Sequence, residues 1–135
     1  MERWLGGLSE LFYAVLRIVA GLMFACHGAQ KLFGVLGGHK MLGNPLMTAA
    51  GIIELVGGVM IALGLLAGWA AFVAAGEMAV AYFKVHAPKG ALPIQNAGEL
   101  AVLYCFVFLF IASRGSGPYG IDRGTGGGRV ARSRR

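Results

Sequence analysis

TAAGIIELVGGVMIALGLL (residues 48–66), then Ala67 and Gly68, then WAAFVAAGEMAVAYFKVH (residues 69–86). This stretch decides the fold. A bilayer core about 30 Å thick needs roughly 20 apolar residues per spanning helix. Each run is about that long, so together they would cross a bilayer twice. The join at Leu66-Ala67-Gly68 carries no charge, and Gly64 and Gly68 flank it. Two glycines at such a join favour a tight turn over one continuous helix.

Working outward, a matching run precedes this hairpin at residues 9–33, separated from it by a Gly-rich loop containing Lys40 and Asn44-Pro45. Another follows at residues 98–113, after a polar loop broken by Pro88, Gly90 and Pro93. Arg17 interrupts the first run and no A-x-A-like site follows, so this run reads as a retained membrane helix and not a cleaved signal peptide. The expected fold is all-α: a polytopic, four-helix transmembrane bundle. Residues 1–122 form the membrane domain, with helices at about 9–33, 48–66, 69–86 and 98–113. After Arg114 the chain becomes Gly-rich. The segment Gly115 to Gly128 has too little apolar surface to offset its ordering entropy. Residues 123–135 are expected to be a disordered basic tail.

Composition agrees. Of 135 residues, 57% are hydrophobic and 13% charged, against about 25% charged in soluble domains. The mean hydropathy is +0.69. Such a chain in water would expose large apolar patches. The net charge is +6, but the basic residues cap apolar segments or sit in the tail. That placement argues against nucleic acid and for anionic lipid at the tail. Four spans put both termini on one side. That side holds Arg3, Arg114, Arg123, Arg129, Arg132, Arg134 and Arg135; the other holds Lys31, Lys40, Lys84 and Lys89. The positive-inside rule places both termini in the cytoplasm.

Small residues recur along the helices, among them Gly21, Ala25 and Gly28, then Gly51, Gly57 and Gly58, then Ala70, Ala71, Ala74 and Ala75. Membrane helices associate through close backbone contact, which small residues permit. A small-residue seam is expected.

Ionisable residues within such helices are costly, about 2.5–3.5 kcal/mol each at the bilayer centre, and mark function or buried pairing. By depth, His27, Gln30, Lys31, Glu54, His86, Asn96 and Glu99 fall in one layer near the outer face. Arg17 and Glu77 fall deeper. At 100° per residue, Lys31 lies about 40° from Arg17 and His27 about 80°, so one face of the first helix carries all three basic groups. Two bland readings apply. Arg17 with Glu77, or Lys31 with Glu54 or Glu99, would only neutralise buried charge. Cys26 and Cys105, at similar depth, are too few for a disulfide framework and read as small buried apolar residues. Phe24, Phe33, Tyr82, Phe83, Tyr104, Phe106, Phe108 and Phe110 read as lipid-facing or interfacial. No metal site, catalytic triad or phosphate-cradling glycine loop is present in the pattern.

The residues Leu16-Arg17, Gly21, Phe24, His27-Gly28 and Gln30-Lys31-Leu32-Phe33-Gly34 resemble the opening signature of the DoxX family. So do Gly51, Glu54-Leu55, Gly57-Gly58 and Gly64-Leu65, then Ala75, Met78 and His86, then Asn96, Gly98-Glu99-Leu100-Ala101 and Tyr104, and finally Gly115, Gly117 and Asp122. The resemblance covers about Leu16 to Asp122. One departure is Ala67-Gly68, where many relatives carry Thr-Arg; it removes a basic residue from the cytoplasmic count. The resemblance implies a multi-pass inner-membrane protein of bacteria or archaea. It also implies a membrane subunit of a redox system linked to a quinone or a sulfur compound, or to thiols and oxidative stress. In that reading a quinone is the ligand, and a protein of a redox complex is the partner. His27 and Glu99 would hydrogen-bond the quinone oxygens, while Lys31 and Arg17 would hold an anion. The alternatives are a non-enzymatic scaffold anchoring a partner enzyme, and an oligomeric proton or small-solute transporter.

Overall fold

The computed structural model describes residues 2–122; the basic tail lies outside them. The described residues contain helices and no strands. A short helix α1 (Glu2–Gly6) leads into α2 (Ser9–Phe33). A second rod is built from α3 (Pro45–Ile52), a π-helical turn at Ile53–Gly57, and α4 (Gly58–Leu63). A third rod is α5 (Ala67–Ala81) with a π-helical turn at Tyr82–His86. A 3-10 turn at Ala87–Lys89 and the short α6 (Pro93–Asn96) lead into α7 (Glu99–Arg114).

Local chemistry sets these boundaries. The second rod starts at Pro45, three residues before the expected Thr48. Asn44 caps it: its side-chain oxygen accepts from the amides of Leu46 at 3.0 Å and Met47 at 3.3 Å, and Pro45 has no N–H to leave unpaired. The same rod ends at Leu63 and not Leu66, because Gly64 takes a left-handed φ of 71°, the usual glycine stop. The third rod then starts at Ala67, and α7 runs to Arg114.

The first and second rods lie in backbone contact. A Cβ on Gly21 would sit 2.6 Å from the Gly58 carbonyl oxygen and the Ala62 amide nitrogen. One on Gly28 would sit 2.3 Å from the Leu55 amide nitrogen and 2.6 Å from the Gly51 oxygen. Gly21 therefore opposes Gly58, and Gly28 opposes Gly51, in an antiparallel small-residue seam of the kind membrane helices use. α5 packs along α7, laying Ala70, Ala71, Ala74 and Ala75 against Ala101, Phe108 and Ile111. α4 joins the two halves through its contact with α5.

Phe24, Tyr104 and Phe108 correct the aromatic expectation. They are core residues, with Phe24 and Phe108 fully buried and ring centroids 4.7 Å apart at a steep angle. Phe33, Phe83, Phe106 and Phe110 do face outward, in company with Trp69, Phe72 and Leu103. α2 and the second rod are each long and apolar enough to cross a membrane.

The Gly-rich segment after α7 also departs from expectation, because residues 115–122 are held by polar contacts and not by apolar burial. The Ile121 and Asp122 amides donate to the carbonyls of Leu63 and Gly64 at 3.2 and 3.1 Å. The Asp122 carboxylate accepts from the Leu66 amide and from the Ser116 hydroxyl at 3.1 Å. Leu66 itself holds a left-handed φ of 47°, so this clasp fastens a strained turn. The predicted disorder of 123–135 falls outside the described residues.

Candidate functional site

Away from the Gly64 turn, the rods part and form a half-open cavity of about 360 Å³. That size lies within the range of about 300–1,000 Å³ typical of small-molecule sites. α2 contributes Phe24, His27 and Lys31. The second rod contributes Met47, Ala50 and Glu54. The third contributes Glu77, Val85 and His86, and α7 contributes Leu100 and Tyr104. The walls are mainly apolar, with polar atoms converging from every rod.

Lys31 donates to Glu54 Oε1 at 2.5 Å, the Glu54 side chain being 3% exposed and that of Lys31 25%. This pairing lets a carboxylate sit deep in the bundle, where an unpaired one would be strongly destabilising. The pair leaves Glu54 Oε2 buried with no partner. Glu77 Oε2 and the Tyr104 hydroxyl are likewise buried and unpartnered. Buried polar groups normally find a hydrogen-bond partner, and exceptions need an explanation. All three belong to residues of the cavity wall; the further one among the described residues, Arg17 Nε, lies at the other end of the bundle.

Arg17 and Glu77 are not a pair. Arg17 is fully buried and donates to the carbonyls of Ile61 at 2.5 Å and Ala62 at 2.7 Å, with a weaker contact to Tyr119 at 3.3 Å. Those carbonyls belong to the last turn of α4, where intrahelical donors run out; Ile61 also accepts from the Gly64 amide at 3.1 Å. Arg17 thus closes the opposite end of the bundle, where its guanidinium also meets the clasp. Glu77 sits higher than expected. It lies ten residues beyond the start of α5, about 15 Å at 1.5 Å per residue. Glu54 lies nine residues before the end of α4, about 14 Å from the same turn. The two carboxyls are therefore level.

The remaining sequence candidates divide. His27 and His86 line the cavity. His86 Nδ1 lies 3.1 Å from the Asn96 carbonyl oxygen. Asn96 is buried and organises the loop before α7: its amide donates to the Gly90 carbonyl at 3.0 Å and to the Tyr82 hydroxyl at 3.3 Å, while its oxygen accepts from the Gly98 amide. Gln30 donates to the Leu36 carbonyl at 2.9 Å and fixes the loop after α2. Glu99 is exposed and lies off the cavity wall; the buried stripe of α7 is Ala101, Tyr104, Phe108 and Ile111, and Glu99 sits about 140° from Tyr104 around the helix. Cys26 corrects the expectation of two small buried residues: it is exposed, while Cys105 is half-buried, and both are free thiols. Among the described residues no group of three or more His, Cys, Asp or Glu is placed to hold a metal ion. Tyr104 is the site residue that sequence reading missed. Its spacing from Ala101 and Phe108 on one face of α7 was the available signal.

The DoxX family pattern matches residues 12–87, covering the first three rods. A protein of Haemophilus influenzae (strain ATCC 51907 / DSM 11121 / KW20 / Rd), described only as uncharacterized, is 44% identical over 118 residues, spanning 82% of this chain and 88% of its own. No solved structure matches the chain.

Proposed function

The chain belongs to the DoxX family of membrane proteins, and from that premise we propose that it is the quinone-binding membrane subunit of a redox system. In this reading all four rods cross the cytoplasmic membrane of a bacterium or archaeon, both termini lie in the cytoplasm, and the cavity faces the outer leaflet. The exposed apolar faces of α5 and α7, with Trp69, Phe72, Leu103 and Phe106, meet lipid. A partner redox protein exchanges electrons with the bound quinone, and the arginines of the tail outside the described residues meet anionic lipid.

One observation carries the reading: a mainly apolar cavity of about 360 Å³ whose wall includes Glu54, Glu77 and Tyr104, each with a buried oxygen that has no hydrogen-bond partner, beside the polar side chains of His27, Lys31, Lys84 and His86. That combination suits an apolar molecule with a small polar head. A scaffold has no need of unsatisfied buried oxygens. A transport path would have to pass Arg17, which is fully buried and fastened to two carbonyls.

The test is the quinone content of the detergent-purified protein, read by absorbance and by mass spectrometry of the lipid extract. The wild type is expected to carry quinone near one per chain. Glu54→Gln with Tyr104→Phe should lose it, and Glu99→Ala should keep it. Absence of quinone from the wild type, or its retention in the double variant, would refute the reading.

A further inference from the structure

We propose that the ligand enters the cavity sideways from the lipid, through a gap between α3 and the end of the third rod, and that its long apolar tail lies in that gap. This route rests on the quinone-site reading above and adds the class of quinone: one with a polyisoprenoid tail.

The gap follows from where each rod changes its neighbour. From the Gly64 turn, the second and third rods pack together through α4 and the π-helical turn at Ile53–Gly57, both of which contact α5. Beyond that turn the second rod stays with α2 instead. There α3 packs along α2 and has at most scattered contact with the third rod. A π-helical turn is one of the few features that bend a helix, and such turns are frequent at functional sites. Gly51 ties α3 to α2, since a Cβ on Gly28 would sit 2.6 Å from its carbonyl oxygen. The end of the third rod is held by the segment before α7. His86 Nδ1 lies 3.1 Å from the Asn96 carbonyl oxygen, and the Asn96 amide donates to the Tyr82 hydroxyl at 3.3 Å. Each wall of the gap is thus fastened to a different neighbour.

The cavity runs into this gap. Leu46, Met47 and Ala50 line it from α3, and Val80, Lys84 and Val85 from the third rod. Leu46, Val80 and Val85 are also exposed on the outside of the bundle, so they form the lips. Apolar lips suit lipid and not water; the Lys84 stem is apolar, and its ammonium snorkels toward the interface. Size points the same way. A cavity of about 360 Å³ equals about twelve water volumes of about 30 Å³ each. That holds a ring head with a short branch. A tail of many isoprenoid units has to leave, and the gap gives it an apolar path into the bilayer.

The experiment uses the full chain in lipid nanodiscs and a long-tailed quinone carrying a photoreactive diazirine on the second isoprenoid unit of its tail. After irradiation, label is expected on Leu46, Ala50 or Val80, competed away by unlabelled quinone. Competed label elsewhere, such as Lys40 and Met41 in the loop after α2, overturns the proposal. Leu46→Trp and Val80→Trp narrow the gap. A tailless quinone head should bind these variants as it binds the wild type. The long-tailed form should bind them at least about tenfold more weakly, equivalent to about 1.4 kcal/mol, through crowding at the gap. Val19→Trp, on the exposed face of α2, is the control and should change neither. Equal weakening of both forms, or weakening of neither, in folded Leu46→Trp and Val80→Trp proteins overturns the proposal. If those variants do not fold, the wild-type labelling decides alone. If the wild type binds neither form, the quinone site itself is refuted, a result distinct from binding with the tail elsewhere.

Discussion

Replacing Gly28 with Ala should drive the first and second rods apart. The added Cβ would lie 2.3 Å from the Leu55 amide nitrogen and 2.6 Å from the Gly51 carbonyl oxygen. Ordinary contact begins at about 3.5 Å, so the rods must separate by about 1.2 Å. Both obstacles are backbone, with no flexible side chain to swing aside. Overpacking of this kind costs about 1–3 kcal/mol, and a rigid contact belongs at the upper end. Ala regains about 1 kcal/mol of helix propensity over Gly. The net loss is therefore about 2 kcal/mol. The contact lies one turn from the Lys31–Glu54 pair, so the separation should weaken ligand binding too. The assay is thermal unfolding of the detergent-solubilised protein by intrinsic fluorescence. Gly57→Ala and Gly76→Ala are the controls, since a Cβ at either meets nothing within 4 Å. Gly28→Ala should melt lower than both. Equal melting of Gly28→Ala and Gly76→Ala would refute close backbone packing.

Lys31→Met should strand the Glu54 carboxylate and cost about 3–5 kcal/mol, as removal of one partner of a buried pair does; adding Glu54→Leu should recover most of that stability, which a thermal melt of both variants checks. Arg17→Met should leave the Ala62 carbonyl bare, at about 1–3 kcal/mol for a buried acceptor, while Ile61 keeps the Gly64 amide. It should also loosen the clasp, read as faster hydrogen exchange at the Ile121 and Asp122 amides. Green fluorescent protein fused to either terminus should fluoresce, and alkaline phosphatase fused there should stay inactive, if both ends are cytoplasmic.

Much of the fold was legible because apolar run length and glycine punctuation act locally. The first helix was read at its observed limits, Ser9–Phe33. The errors at the second rod have identifiable causes. Asn44-Pro45 is a cap signal that moves the start upstream, and Gly64 stops the rod one turn earlier than its hydropathy does. The site was legible in part. His27, Lys31, Glu54 and His86 were placed in one layer, and the structure brings them to one cavity wall. Depth alone misled at Glu99, because a residue at the right height can still face away. Counting from the Gly64 turn would have set Glu77 level with Glu54. Arg17 was not legible: charge counting seeks carboxylates, whereas its partners are backbone carbonyls, exposed by the end of α4 and invisible in any list of side chains. The clasp was hidden for the same reason, being made mainly of backbone amides in a segment whose composition gives no apolar signal.

Photolabelling tests the central claim most directly. An azido-quinone is irradiated with the protein in nanodiscs, and the labelled residues are mapped by peptide mass spectrometry. The account predicts label on cavity residues such as Met47, Val85 and Leu100, competed away by excess unlabelled quinone and lost in Glu54→Gln/Tyr104→Phe. Label confined to outward-facing Phe72, Leu103 or Phe106, unaffected by competitor, would contradict it.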